Sequence, residues 1–209
     1  MTSITKEFII SVLKEYGVQV VPDSSFVEGI QAYIALLLRW NRSISLTTVT
    51  DPSEIVRFHF GESMFAASIA GIRKGALADV GSGAGFPGLA LKLLVPELEL
   101  TLIESNARKG AFLSDVVREL GLVNVRVERC RMEEIHSGQF DFVTARALGH
   151  FEDLLAWGRR NLTSGGKVIL WIGEEDLKSV AETPGWQWEP QARIPGSRRR
   201  FILVGSSAG

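Results

Sequence analysis

The fold is decided by residues 77–88, which read Leu-Ala-Asp-Val-Gly-Ser-Gly-Ala-Gly-Phe-Pro-Gly. The apolar run 76–80 predicts a short strand, and a helix is expected to begin near Pro87. Glycines at this spacing let the backbone turn through positive φ and approach a ligand closely, while the helix start adds unpaired N–H groups. A second apolar run, 98–103, ends at Glu104, which is placed to accept hydrogen bonds from a ribose diol. This order of elements is typical of a nucleoside-cofactor site: a strand, a glycine loop, a helix, a second strand and an acidic residue.

The loop contains the dinucleotide pattern G-x-G-x-x-G, but two details disfavour a pyrophosphate. Pro87 lacks an N–H group that would hold the phosphates. When the pattern is counted from the first glycine, its third glycine position holds the bulky Phe86. A turn that only tightens strand-to-helix packing is also disfavoured, because one or two glycines suffice for it. The spacing instead resembles motif I of class I methyltransferases that bind S-adenosylmethionine, here Asp79-x-Gly81-x-Gly83-x-Gly85.

Length and composition favour one α/β domain with a helical extension. The chain has 209 residues, of which 45% are hydrophobic and 22% charged, so disorder is disfavoured. The net charge is −1, and any nucleic-acid surface must therefore be local. A single cysteine, Cys130, excludes an internal disulfide and fits a reducing cytoplasm. We find neither a signal peptide nor an apolar run long enough to span a membrane, and the three histidines lack metal-ligand spacing, so no metal is expected.

Periodicity predicts helices first and then a regular strand–helix alternation. Helical patterns in the first 75 residues cover 3–16, 25–41 and 51–72. Strands are predicted near 76–80, 98–104, 123–129, 139–145 and 166–172, and helices near 87–95, 106–120, 151–161 and 174–182. Two last strands, near 186–194 and 200–204, suggest an antiparallel hairpin at one edge. We therefore predict a Rossmann-like α/β fold with a mostly parallel seven-stranded sheet in 76–209, preceded by a helical extension, 1–75, in one compact unit.

Further short motifs follow one another along the chain: Trp40-Asn41, Leu46-Thr47, His59-x-x-Glu62-Ser63, Glu104-Ser105-x-x-Arg108-Lys109, Arg131-Met-Glu133 and Arg146-Ala147. With the glycine loop they resemble the 16S ribosomal RNA methyltransferase G family, also called glucose-inhibited division protein B, over roughly 40–205. The resemblance implies methyl transfer from S-adenosylmethionine to N7 of a guanine in the 530 loop of 16S rRNA. It also implies a cofactor pocket lined by Gly81, Phe86, Met132, Glu133 and Arg146.

Residues at the carboxyl ends of the predicted strands are expected to converge, because ligands of open α/β sheets bind there. Met132 either covers an adenine or fills the core. Arg146 either binds a carboxylate or phosphate at an open cleft, contributing little to the core, or is an ordinary surface charge. His59 and Glu62 share a helical face, as an acid–base pair or as a contact that fixes the helix. Guanine N7 has a free lone pair, so catalysis needs positioning and water exclusion, and no general base is assigned.

Basic residues near this edge are candidates for an RNA phosphate track, or are ordinary solvated charges. They are Arg39, Arg42, Arg57, Arg108, Lys109, Arg159, Arg160, Arg198, Arg199 and Arg200. Trp40 either stacks on a base or lies half-buried in the core. The chain departs from the family pattern at Ser45, Phe58, Glu62 and Ile172, where a lysine would precede Gly173. The expected partner is 16S rRNA or the small ribosomal subunit, bound by a monomer. The alternatives are a methyltransferase of another RNA or small molecule, or a catalytically silent RNA-binding assembly factor.

Overall fold

The computed structural model of this protein describes residues 4–19, 24–136, 138–146, 149 and 151–207. The part before the sheet is helical: α1 (Lys6–Glu15), α2 (Ser24–Asn41), α3 (Pro52–Ile55), a π-helical turn (Val56–Gly61) and α4 (Glu62–Ala70). The Asp51 side chain caps α3 by accepting hydrogen bonds from the N–H groups of Ser53 and Glu54. The predicted single helix over 51–72 is therefore interrupted, because the π-helical turn replaces its middle. Such turns are frequent at functional sites.

The rest of the chain alternates as predicted. The strands are β1 (Gly75–Val80), β2 (Leu98–Ile103), β3 (Val125–Glu128), β4 (Phe140–Arg146), β5 (Leu162–Gly173), β6 (Trp186–Trp188), β7 (Ala192–Arg193) and β8 (Arg200–Ser207). The helices are α5 (Gly88–Leu94), α6 (Ala107–Glu119), α7 (Phe151–Asn161) and α8 (Glu174–Ala181), with a 3₁₀ turn at Met132–Glu134. In the described part of the chain the strands form one sheet in the order β3-β2-β1-β4-β5-β8-β6, with β7 also paired to β8. The first five strands are parallel and β8 is antiparallel to its neighbours, which confirms the predicted fold class.

The register of the central strands determines which side chains meet at the carboxyl edge of the sheet. Val80 pairs with Ile103 of β2 on one side and with Ala145 of β4 on the other. The residues after these three positions therefore emerge side by side. They are Gly81, Glu104 and Arg146.

The predicted strand over 186–194 is broken into β6 and β7. Pro190 lies between them, and a proline has no N–H group to donate to a strand ladder. Both pieces pair with β8, and the N–H group of Glu189 still donates to the Val204 carbonyl oxygen. β8 therefore lies inside the sheet, with β5 on one side and the two short strands on the other.

Two hydrophobic cores cover the two faces of the sheet. One core joins side chains of α1, α2, α4, α5 and α6 to Leu77, Leu100 and Ile169 of the sheet. The other joins α7 and α8 to Ala78, Val143 and Leu170. The N-terminal helices thus pack on the same face as the helix that follows the glycine loop. In the described ranges of the chain, no helix has the length and apolar character needed to cross a membrane.

Candidate cofactor-binding site

The glycine loop connects β1 to α5, and its glycines divide into two groups. Gly81, Gly83 and Gly85 have φ values of 69°, 55° and 83°, in the left-handed region that favours glycine. A Cβ on Gly85 would lie 2.2 Å from the Tyr33 hydroxyl, and one on Gly88 would lie 2.7 Å from a carboxylate oxygen of Asp79. Among described residues, a Cβ on Gly83 would meet only the Gly81 carbonyl oxygen, at 3.7 Å. Packing therefore requires the last two glycines, while the side of the loop at Gly83 stays open.

Glu104 holds the loop from the end of β2. Its Oε2 accepts a hydrogen bond from the Gly83 N–H at 2.9 Å, and its Oε1 accepts one from the Asn106 N–H at 2.8 Å. Asn106 then caps α6, accepting from the N–H groups of Arg108 and Lys109. An ionised carboxylate has about four acceptor sites, so Glu104 retains capacity for two hydroxyl groups of a ribose. The open glycine face and this carboxylate fit the nucleoside part of S-adenosylmethionine.

Asp79, predicted among the cofactor-binding residues, lies beneath the loop and is 1% exposed. Its Oδ2 accepts from the Gly88 N–H at 3.1 Å, and its Oδ1 accepts from the Thr144 hydroxyl at 2.9 Å. Burial raises the pKa of this carboxyl group to about 7, although these hydrogen bonds oppose the shift. Asp79 thus shapes the loop from inside the protein rather than from its ligand side.

Phe86 lies at the centre of an aromatic cluster. Its ring stacks on Tyr33 at a centroid distance of 5.2 Å and on His59 at 4.8 Å, with Phe60 at its edge at 5.1 Å. The side chain is 8% exposed, so little of it is left to line a pocket. Tyr33 also donates a hydrogen bond to the Ala84 carbonyl oxygen at 2.6 Å. The helical pattern over 25–41 includes Tyr33 but does not indicate this bond, although a buried tyrosine hydroxyl usually needs a partner.

His59 lies in the π-helical turn and is a neutral imidazole. Its Nε2 lies 2.8 Å from the Thr47 hydroxyl, in a loop whose N–H groups at Leu46 and Thr47 donate to Asn41. Burial, followed by the nearby Arg146 charge, lowers the pKa of His59 to about 4. Its Nδ1 is buried and has no hydrogen-bond partner within the described residues. His59 therefore brings one unsatisfied buried nitrogen to the site.

Glu62 pairs with two arginines instead of with His59. It lies 3.1 Å from Arg146 at the end of β4 and 2.7 Å from Arg200 at the start of β8, and its side chain is 2% exposed. Burial raises the pKa of Glu62, and the two guanidinium groups oppose that shift. The Arg146 Nη2 also donates to the Phe58 carbonyl oxygen at 2.7 Å. We name Glu62, Arg146 and Arg200 the ion-pair cluster.

Arg146 does not lie on an open cleft, so the prediction that it does is wrong. Its side chain is 18% exposed, because the π-helical turn and α4 cover it. Burial lowers the pKa of its guanidinium group, while Glu62 opposes that shift. The Nη1 atom has no hydrogen-bond partner among the residues that the structure describes. Arg146 thus combines a structural ion pair with one free donor.

The other predicted site residues are more scattered. Met132 is half-buried against the second core, and Glu133 is exposed beside it in the 3₁₀ turn. Trp40 donates to Asp115 at 2.8 Å and packs edge-on against Phe112, which favours a structural role over base stacking. No group of three or more histidine, cysteine, aspartate or glutamate side chains in the described ranges is arranged to hold a metal ion.

The predicted phosphate track divides into paired and unpaired cations. Arg57 pairs with Glu15, Arg39 with Asp115, Arg199 with Glu174 and Glu175, and Arg200 with Glu62. Within the described ranges, no ion pair engages Arg42, Arg108, Lys109, Arg159, Arg160 or Arg198. Arg108 and Lys109 lie in the first turn of α6, directly after the cofactor-side Glu104. Of the unpaired cations in the predicted track, they are the nearest in sequence to the loop.

Comparison with known proteins identifies the family. A family model described as rRNA small subunit methyltransferase G, GidB, matches residues 27–187. The chain belongs to this family. A ribosomal RNA small subunit methyltransferase G from Halorhodospira halophila is 39% identical over 166 residues, which cover 79% of this chain and 78% of that protein.

Solved structures of methyltransferases share the fold of this GidB family member. The ribosomal protein L11 methylase from Lactobacillus delbrueckii subsp. bulgaricus aligns with a TM-score of 0.63 at 18% identity, covering 73% of this chain and 80% of that one. A SAM-dependent methyltransferase from Aquifex aeolicus aligns with a TM-score of 0.57 at 17% identity, covering 74% and 97%. The chain is a methyltransferase with S-adenosylmethionine as its cofactor, which confirms the motif I prediction.

Proposed function

We propose that this protein transfers a methyl group from S-adenosylmethionine to N7 of a guanine in the 530 loop of 16S rRNA. Membership in the GidB family carries the proposal, since it covers most of the chain. The pairing of Glu62 with Arg146 and Arg200 is compatible with it, because N7 alkylation needs no base to remove a proton and leaves this carboxylate to its ion pairs. The family pattern and the chemistry of the site therefore agree.

The proposed cofactor contacts begin with the glycine loop. The exposed Gly81 and the open side at Gly83 would accommodate the methionine and ribose portions, and Glu104 would accept hydrogen bonds from the ribose hydroxyls. Met132 would cover the adenine ring, with the neighbouring Glu133 at its polar edge. When bound, S-adenosylmethionine supplies an electrophilic methyl group on a positively charged sulfur. Three residues would support the conformation of the loop rather than contact the ligand: Asp79, Gly85 and Phe86.

The substrate contacts that we propose use the buried groups left without partners. The Nδ1 of His59 would hydrogen-bond the base or its ribose, and the Nη1 of Arg146 would bind a carboxylate or phosphate oxygen. Both residues orient the reactants, because the N7 lone pair attacks without prior deprotonation. Transfer moves the positive charge from sulfur to the purine, and no proton is exchanged. No residue is given the role of general base.

The remaining proposals concern the partner and the organisation of the chain. Unpaired Arg42, Arg108, Lys109 and Arg198 would contact RNA phosphates, which predicts salt-dependent binding. We propose that the protein acts as a monomer in the cytoplasm, and the single cysteine is consistent with a reducing compartment. We also propose that the helical extension, 1–75, and the methyltransferase unit, 76–209, form one compact unit, which predicts a single unfolding transition.

The decisive experiment is a methyl-transfer assay with purified protein and radiolabelled S-adenosylmethionine. Unmodified 16S rRNA and small subunits are the two substrates, and tRNA is the control. Borohydride reduction followed by aniline cleaves RNA at N7-methylguanine and maps the modified position. We expect label at one guanine of the 530 loop. Label elsewhere, or in tRNA alone, would reject this target in favour of another methyltransferase substrate, and RNA binding without transfer would favour the assembly factor.

A further inference from the structure

The glycine loop is held at two consecutive residues from two different parts of the chain. The Gly83 N–H donates to Glu104 from β2, as described above. The next residue, Ala84, accepts a hydrogen bond at 2.6 Å from the hydroxyl of Tyr33 in α2. A residue of the helical extension thus reaches the loop that binds the cofactor.

Tyr33 contacts three consecutive loop residues. Besides the bond to Ala84, its hydroxyl occupies the space that a Cβ on Gly85 would need, and its ring stacks on Phe86 with an interplanar angle of 6°. The side chain is fully buried, and Phe60 and Phe112 pack around it. The ring therefore has little freedom to move away from the loop.

We propose that Tyr33 is a positioning residue for the cofactor, which holds Ala84, Gly85 and Phe86 in the conformation that binds S-adenosylmethionine. It acts on the residue next to the one that Glu104 holds and does not touch the cofactor itself. The inference rests on the cofactor-binding part of the proposed function. It makes α2 a component of the cofactor site rather than only a packing element.

Two physical arguments indicate that the hydroxyl has this effect. Burial raises the pKa of Tyr33 well above its usual value, so the hydroxyl keeps its proton and remains a donor across the working pH range. Three glycines with positive φ give the loop many accessible backbone conformations once a restraint is removed. Loss of the bond to Ala84 would therefore lower the population of the binding-competent loop, and the observed cofactor affinity falls with that population.

The variant that tests this inference is Tyr33→Phe, which removes the hydroxyl and keeps the ring stacked on Phe86. Tyr16→Phe is the matched control, because it removes a hydroxyl from the other tyrosine, whose ring packs against Gly61 instead of the loop. We expect calorimetry to show a rise of about three- to tenfold in the Kd for S-adenosylmethionine for Tyr33→Phe. The kcat at saturating cofactor should stay within about twofold of wild type, because occupancy restores the loop. The Kd of Tyr16→Phe should match wild type.

A second measurement uses the wild-type protein and does not depend on the variant folding. The protein is labelled with ¹³C at Cζ of tyrosine, so that its NMR spectrum contains two signals, one for each tyrosine. S-adenosylhomocysteine is then added to the labelled protein. The Tyr33 signal should shift on saturation as the loop tightens, and the Tyr16 signal should not. An unchanged Kd in Tyr33→Phe, or an unperturbed Tyr33 signal in a protein that binds the ligand, would overturn the inference. If the wild-type protein bound neither form of the cofactor, the proposed function itself would fail.

Discussion

Replacing Arg146 with alanine tests the ion-pair cluster. The change removes a guanidinium group 3.1 Å from Glu62 and 2.7 Å from the Phe58 carbonyl oxygen. Glu62 is 2% exposed and, of its ion-pair partners in the described ranges, would keep Arg200, whose side chain is 42% exposed. Leaving a buried charge without any partner costs about 3–5 kcal/mol, whereas a charge-assisted hydrogen bond contributes about 1.5–3 kcal/mol. Because Arg200 remains, we expect a loss in the lower range, about 2–3 kcal/mol, which lowers the Tm by roughly 4–12 °C.

Urea and thermal unfolding followed by circular dichroism measure this loss. A double-mutant cycle with Glu62→Gln separates the pair from its surroundings, and a coupling energy above about 1 kcal/mol is expected. Arg199→Ala is the matched control, since its side chain is 71% exposed and lies 3.5 Å from Glu174. Its effect should stay within about 0.5 kcal/mol. The argument that this pair is structural would be refuted if the free-energy changes of the two single variants summed to that of the double variant. A wild-type Tm for Arg146→Ala would refute it as well.

The same variant reports on activity at temperatures where it remains folded. Loss of the free Nη1 donor should lower single-turnover methyl transfer by roughly tenfold to a hundredfold. Arg146→Lys keeps a charge that can pair with Glu62, as Nη2 does, but lacks the second terminal nitrogen, Nη1, so it should recover stability in part and activity poorly. Wild-type transfer rates in Arg146→Lys would show that no directed donor is needed there.

Three further predictions concern the loop and its neighbours. The pKa of His59 is about 4 in the folded chain and 6.5 in the unfolded chain. Between these two pH values the unfolded chain binds more protons than the folded chain. The free energy of unfolding therefore falls as the pH drops from 6.5 to 4. The urea midpoint of wild type should therefore fall more between pH 7 and 5 than that of His59→Asn, and parallel changes would contradict this. Gly85→Ala should lower the urea midpoint more than Gly83→Ala does, because of the two only Gly85→Ala places a Cβ against the Tyr33 hydroxyl. Equal urea midpoints for the two variants would contradict this. Glu104→Gln should raise the Kd for S-adenosylmethionine about tenfold in calorimetry and should also lower the Tm, since the amide nitrogen cannot accept from one of the two backbone N–H groups that the carboxylate binds; an unaltered Kd would exclude a ribose contact.

The features predicted well from the sequence depend on local signals. The glycine loop, the strand before it and the acid after the next strand are each encoded in a few adjacent residues, and the structure brings Gly81 and Glu104 together as parallel register requires. The break at Pro190 could also have been predicted, because proline cannot donate a hydrogen bond within a strand ladder. It was not, because the apolar residues around Pro190 favoured one continuous strand.

The features that were missed depend on contacts between distant parts of the chain. Helical periodicity over 51–72 does not distinguish an α-helix from one interrupted by a π-helical turn, so the orientation of His59 and Glu62 could not be derived. The pairing of Glu62 with Arg146 and Arg200 joins three separate elements, and no spacing rule relates them. The bond from Tyr33 to Ala84 is of the same kind, since one partner lies in a helix that sequence reasoning treated as a separate extension.

The internal position of β8 has a consequence for how the chain folds. Because β8 pairs with β5 on one side and with β6 and β7 on the other, both earlier pieces lack their neighbour until residues 200–207 have left the ribosome. Arg200 at its first position then contributes to the cluster around Glu62, which was synthesised much earlier. Pairings between such distant residues form late, since loop-closure entropy must be overcome first. The sheet and the ion-pair cluster are therefore both completed late, when β8 is added to them.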